Sequence, residues 1–223
     1  LSRLRVRSSS LPKKANSVTG VFITFEGGDG SGKTTQIELL KSWLGERGHT
    51  VVVTREPGGT DLGNELRDII LHRKGFIAPR AEALLYAADR AHHIHTLVAP
   101  ALERGDVVVQ DRYLDSSVAY QGAGRVLDPT EVRDVSLWAT ENLMPHLTIL
   151  LDVPADVAKQ RQDSDERAYD RLEAEAEDFH QRVRESYQRL ADAEPERFVI
   201  LDGTDSIEEI HHQITQKVAT LLS

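Results

Sequence analysis

The sequence predicts an α/β fold, a single five-stranded parallel sheet with helices on both faces. Three observations predict it. Short, continuously apolar runs alternate with helix-period segments, the pattern of strands buried on both faces. Each run closes at a turn or a charged residue. The first run leads into a glycine-rich, lysine-bearing loop and then a helix, the order of a phosphate-binding strand–loop–helix unit.

The elements follow in order. Val21-Phe22-Ile23-Thr24-Phe25 is a β-prone run that ends at glycines. Residues 36–46 carry Ile37, Leu40 and Leu44 at helical spacing, and Gly48 stops them. Thr50 to Thr54 is the second strand, closed by Pro57-Gly58-Gly59. Leu62, Leu66, Ile69 and Ile70 mark the apolar stripe of the next helix. Residues 81–102 read as one long helix, bent or trimmed by Pro100. Val107-Val108-Val109 is the third strand, Val132, Val135 and Trp138 indicate a helix, and Leu147 to Leu151 is the fourth strand. Residues 155–161 and 171–190 read as charged helices, Phe198 to Leu201 as the fifth strand and 206–222 as a terminal helix. The acidic run at 173–178 reads as a solvated helix face.

Composition bounds the function. The 223-residue chain has a formal net charge of −9, 39% hydrophobic residues and no cysteine. Disulfides, thiolate metal sites and cysteine nucleophiles are therefore excluded. No apolar run is long enough to cross a bilayer, and the overall acidity argues against a broad grip on nucleic acid. A cytoplasmic enzyme of small molecules, bound to neither membrane nor nucleic acid, is the expectation. Residues 1–20 differ from the rest: they carry Arg3, Arg5, Arg7, Lys13 and Lys14 and no acidic residue. That composition suits an organelle transit peptide or a disordered basic tail, and the tail is the expectation. Residues 21–223 are read as one domain.

The strongest chemical signal is Gly27-Gly28-Asp29-Gly30-Ser31-Gly32-Lys33-Thr34, which fits G-x-x-x-x-G-K-[ST]. Glycines let backbone N–H groups converge on phosphate oxygens, and the helix that follows adds its unpaired amides and positive dipole end. Lys33 is placed to neutralise terminal phosphate charge, and the Thr34 hydroxyl to ligate Mg²⁺. The loop implies a nucleoside triphosphate but not its acceptor. A GTPase would carry an N-K-x-D segment, which the sequence lacks. A small-molecule kinase and a non-catalytic nucleotide-binding regulator remain, and the kinase needs a second, cationic pocket. Arg55, just past the second strand, lies on the edge where ligands gather in open α/β sheets; the alternative is a surface pair with Glu56. Asp111 and Arg112 close the third strand, placed for phosphate or metal, or as a helix cap and a solvated arginine. Tyr86 and Arg90 share one helical face, and from the residues alone Tyr86 reads as a core tyrosine. His92 and His95 also share a face, with no further metal ligand evident.

Four segments in order resemble the thymidylate kinase family. They are Phe25 to Gln36; Thr54-Arg55-Glu56-Pro57-Gly58-Gly59-Thr60; Asp111-Arg112-Tyr113 with Ser116-Ser117 and Tyr120-Gln121-Gly122; and Asp170-Arg171-Leu172-Glu173. The resemblance spans about residues 21–205. It implies a P-loop nucleoside monophosphate kinase fold with a short lid, about 161–171, and a homodimer. It also implies ATP as donor and dTMP as acceptor, with Mg²⁺. Residues Gly27 to Thr35, including Thr35, would bind ATP. Thr34, Asp111 and Asp29 would serve the metal, and Asp29 the acceptor sugar. Arg55 would hold the dTMP phosphate, and Arg112 would bridge donor and acceptor phosphates. Tyr86 would stack on thymine beside Arg90, Ser117 and Gln121, and Tyr120 would crowd the ribose 2′ position. Asp202-Gly203-Thr204 falls where the family often contacts adenine. Some members carry an arginine after the P-loop aspartate; here that residue is Gly30. The resemblance is therefore to the lid-arginine subtype, with Arg161, Arg167 and Arg171 as candidates and the first two favoured for phosphate. An exposed apolar face on the 81–102 or 129–143 helix is the expected dimer interface.

Overall fold

A computed structural model describes residues 19–163 and 170–223. Five strands form one wholly parallel sheet: β1 (Val21–Glu26), β2 (Val51–Arg55), β3 (Val107–Asp111), β4 (Leu147–Asp152) and β5 (Phe198–Asp202), in the order β2-β3-β1-β4-β5. The strands are apolar on both faces because both faces are covered. One side buries Ile23, Phe25, Val109, Ile149 and Leu151 against α1 (Lys33–Gly45) and α9 (Ile207–Leu222). The other buries Phe22 and Val108 against Val98, Leu102 and Tyr113. Leu150 and Phe198 on that side meet Phe179, Val183 and Tyr187 of α8 (Glu177–Ala193). No helix among the described residues is long and apolar enough to cross a membrane.

Several expectations are corrected. The long helix runs as α3 (Pro79–His93), a widened π turn (Ile94–Val98) and α4 (Ala99–Glu103). Pro100 does not trim it. A proline inside a helix lacks its N–H and crowds the preceding turn; the π turn sits at that place and opens the spacing. In α2 (Asp61–His72) the buried face is Gly63, Ile70 and Leu71, while Leu62 and Ile69 of the expected stripe point outward. The helix expected over 171–190 begins only at Glu177. Before it, the Asp170 carboxylate accepts from the N–H groups of Leu172 and Glu173, and Glu173 accepts from the N–H of Asp170 at 3.0 Å. That reciprocal pair is a capping box closed on a single turn. Glu173 is buried, whereas Glu177 and Asp178 at the start of α8 are exposed, so only part of the acidic run is a solvated face. A segment not anticipated as helical follows β3: α5 (Leu114–Ser117) passes into a π stretch, Val118–Gly124. α6 (Pro129–Ala139) and α7 (Ala155–Asp163) complete the described helices.

Strand register sets up the site. Arg55 on β2 and Phe25 on β1 both pair with Asp111 on β3. The residues that follow each strand therefore emerge side by side at the carboxyl edge.

Candidate active site

The loop between β1 and α1 folds as a phosphate cradle. Lys33, buried at the first turn of α1, donates to the carbonyls of Gly27 (3.1 Å) and Gly28 (3.0 Å). Burial, then the neighbouring Arg112 charge, lowers its pKa. Thr34 and Thr35 are exposed at the start of the helix, while Ser31 is buried, its Oγ without a partner. Gly30 has φ +77°, and a Cβ there would lie 2.7 Å from the Ala158 carbonyl of α7.

Arg112 stands where the cradle meets the rest of the site. Its φ of +65° is a left-handed conformation uncommon for a non-glycine residue. That turn aims the guanidinium at four oxygens: Asp29 Oδ1 at 2.7 Å, and Ser116, Tyr187 and Tyr120 hydroxyls at 3.3 Å each. Burial alone would raise the Asp29 carboxyl, but Arg112 and Lys33 outweigh it and hold the group well below the usual range. Beneath them, Glu26 accepts from Ser116 Oγ (2.6 Å), Tyr187 OH (2.9 Å) and the Tyr113 N–H (2.8 Å). Its burial, reinforced by Asp115, pushes its pKa up to about 7.

Two of the concavities at this junction hold Arg55 and Arg112. Thr34, Arg55, Gly58, Gly59 and Asp111 line the first. Asp111 Oδ1 is buried there without a hydrogen-bond partner. With the Thr34 hydroxyl it forms an all-oxygen donor set that suits Mg²⁺ held jointly with phosphates. Among the described residues no cluster of three or more histidines and carboxylates is arranged to hold a metal alone. The second concavity is lined by Asp29, Arg67, Tyr86, Arg90, Arg112, Ser117, Tyr120 and Gln121. It is an aromatic-walled pocket in which three arginines stand beside the carboxylates of Asp29, Glu56 and Asp170, and it meets the cradle at Asp29.

The surrounding network explains several sequence features. Glu56 is buried and bound to Arg90 Nε (2.7 Å) and His93 Nδ1 (2.9 Å), so it is not a surface partner of Arg55. His93 in turn meets Thr54 Oγ1 at 2.7 Å, a core role for one member of the histidine cluster. Arg90 is fully buried, and also donates to Ser136 and Ser117 (3.1 Å each) and to the Tyr113 carbonyl (3.2 Å). Arg67 was not singled out in the sequence. It donates to the Pro57 carbonyl at 3.0 Å and faces the second concavity, and burial and Arg55 lower its pKa. The available signal was a charged residue beside the buried end of α2. Arg161 on α7 reaches the Gly30 carbonyl (3.3 Å) and the Gly203 carbonyl (2.9 Å), joining α7 to the cradle and to the Asp202 turn. Arg171 turns elsewhere, to Ile70 O (2.8 Å) and Glu82. Arg167 lies outside the described residues.

A phosphate cradle at the carboxyl edge of a parallel sheet, with a second, arginine-lined pocket beside it, defines a P-loop phosphotransferase of the nucleoside monophosphate kinase fold. A family model described as thymidylate kinase matches residues 25–214. A thymidylate kinase from Clavibacter sepedonicus is 63% identical over 206 residues, covering 92% of this chain and 98% of its own. One from Leifsonia xyli subsp. xyli is 65% identical over 195 residues, covering 87% and 92%. The crystal structure of thymidylate kinase from Ehrlichia chaffeensis superposes with a TM-score of 0.73 at 30% identity, covering 89% of this chain and 98% of that one. The chain belongs to the thymidylate kinase family.

Proposed function

We propose that this chain transfers the γ-phosphoryl group of ATP to dTMP, giving dTDP and ADP for dTTP synthesis, with donor and acceptor meeting at Arg112. One observation carries the assignment of roles: Arg112 binds the P-loop carboxylate Asp29 and at the same time lines the second, arginine-bearing pocket. The cradle, Gly27 to Thr35, takes the ATP phosphates. Lys33 leaves its two carbonyl partners to meet them. The second concavity takes dTMP. Arg112 there, and Arg55 from the wall of the first concavity, grip its phosphate bidentately, and Tyr86 offers a face to the pyrimidine. Arg90, Ser117 and Gln121 stand along the base edge, and Tyr120, bonded to Asp29 at 3.4 Å, crowds the sugar.

The acceptor is already an anionic oxygen, so no strong general base is needed. In-line positioning and charge neutralisation by Lys33, Arg112 and Arg161 supply the catalysis. Mg²⁺, held by Thr34 and Asp111 with Asp29 nearby, would offset charge on the donor phosphates. Residues 21–223 form one kinase domain, and a lid at about 161–171, including Arg161 and Arg167, covers the phosphates so that water does not compete as acceptor. The enzyme is read as cytoplasmic. It is read as a homodimer through the exposed Leu84 of α3 and Trp138 of α6, which light scattering of wild type and Trp138→Glu would test.

The direct experiment is acceptor-dependent ADP release with ATP and Mg²⁺, run across dTMP, dUMP, dCMP, AMP, CMP and GMP. Strong preference for dTMP is expected. Turnover with another monophosphate would overturn the pocket reading but keep the phosphotransferase. ATP binding without acceptor-dependent ADP would point to a regulator.

A further inference from the structure

Glu82 takes no part in the machinery above, yet it is fully buried on α3, one turn before Tyr86. Donors surround it. Gln121 Nε2 (3.1 Å) and Arg125 Nε (3.2 Å) donate to Oε1, and Arg171 Nη2 and Arg125 Nη2 (3.5 Å) donate to Oε2. Two guanidiniums and an amide NH₂ face the carboxylate, whose oxygens act as acceptors. It therefore dictates how the Gln121 amide is turned. The NH₂ must face Glu82, leaving Oε1 as the other end. Gln121 is 1% exposed and lines the acceptor concavity with Tyr86, Arg90 and Ser117. Among the described residues only its Nε2 is hydrogen-bonded, so Oε1 is the end of the amide left for a group in the cavity that Gln121 lines.

We infer that Glu82 is a positioning residue for base choice: by holding the Gln121 NH₂ it presents Oε1 to the cavity as a fixed acceptor. Such an oxygen pairs with a base whose ring nitrogen carries a proton, the imide edge of thymine or uracil. Cytosine presents a bare acceptor nitrogen at the same place, so two acceptors would face each other in a desolvated site. A site built to meet one hydrogen-bond pattern rejects a ligand lacking it far more strongly than shape alone would. Without Glu82 the amide rotates, because its two ends are nearly equal in size. The inference rests on the reading of this concavity as the dTMP site.

The test compares kcat/KM for dTMP and for 5-methyl-dCMP, which keeps the methyl group and changes only the imide edge. Glu82→Asp preserves the charge against both arginines while drawing the acceptor back by one C–C bond, about 1.5 Å. It should lower the dTMP to 5-methyl-dCMP ratio at least about tenfold, roughly the weight of one modest hydrogen-bond preference. Gln121→Leu should lower the ratio too. A loss of rate shared equally by both substrates, with the ratio within about twofold of wild type in Glu82→Asp but collapsed in Gln121→Leu, would overturn the role of Glu82 and leave the cavity reading intact. An unchanged ratio in Gln121→Leu would remove both. Should Glu82→Asp fail to fold, Glu82→Gln, whose amide can turn either way, should show the same fall, and an unchanged ratio there overturns the inference.

Discussion

Arg112 donates to Asp29 across 2.7 Å, and that ion pair joins the end of β3 to the phosphate cradle. The pair is largely buried, and its geometry depends on a left-handed residue at position 112. Backbone strain of this kind persists only where the surroundings over-determine it, and it gathers at functional sites. Arg112→Lys keeps the charge and the backbone but replaces the planar fork by a single point donor. The variant should fold normally and lose about a hundredfold in kcat/KM for dTMP, the scale seen when one preorganised donor to a reacting oxygen is removed. Full activity in that variant would remove Arg112 from the reaction.

Glu56 anchors the acceptor loop from beneath. It lies between Arg90 and His93, and all three are buried. Removing one member of a buried pair leaves an uncompensated charge, at a cost of about 3–5 kcal/mol. Glu56→Ala should therefore lower the unfolding free energy by that amount, read as a lower urea midpoint at constant m value. It should also raise KM for dTMP, because Arg55 and the Pro57 carbonyl that holds Arg67 flank the lost side chain. An unfolding free energy within about 1 kcal/mol of wild type would show that Arg90 finds other partners.

The site was legible in uneven parts. The strands could be read because burial on both faces demands continuous apolar runs, and the cradle because phosphate binding restricts Gly27 to Thr34 so tightly. The helical stretch after β3 was not. Gly122 and Gly124 are poor helix formers, yet Gly124 is required because a Cβ there would lie 2.6 Å from the Phe179 ring. Tertiary packing overrode propensity. The outward turn of Leu62 and Ile69 was hidden for a related reason. Gly63 takes the inner position on α2, where a Cβ would lie 2.4 Å from Asp89 Oδ1, and glycine carries no hydrophobic signal. Glu56 and Glu82 look like surface charges in sequence, because their arginine partners come from distant segments.

Glu26 gives the site a pH signature. Its pKa is raised from 4.5 to about 7, by burial first and by Asp115 second. A raised acid contributes stability that is full below the unfolded value and is lost as pH climbs through the folded one. Wild type should therefore lose stability between about pH 4.5 and 7 through this group, whereas Glu26→Gln has no proton to lose there. The difference in Tm, variant minus wild type, should grow by about 4 °C or more between pH 5 and pH 8, at roughly 2–4 °C for each kcal/mol in a chain of this size. Parallel Tm profiles would place the Glu26 pKa near its ordinary value.

Gly30 stands where the resemblance places an arginine in some members of the family, and the backbone here disfavours one. An L-residue at φ +77° costs about 1–2 kcal/mol. The Cβ would also press on the Ala158 carbonyl, on the helix that carries Arg161. Arg161 holds the Gly30 and Gly203 carbonyls from that helix, so moving α7 displaces the guanidinium already present. Gly30→Arg should lower kcat about tenfold or more, although it brings a cation to the phosphates. Gly30→Ala separates the causes: it adds the Cβ without the charge and should produce most of the same loss. If Gly30→Arg instead turned over as fast as wild type while Gly30→Ala did not, a loop arginine would be able to replace Arg161 in this fold, and the packing of α7 on Gly30 would not be what dictates the choice between them.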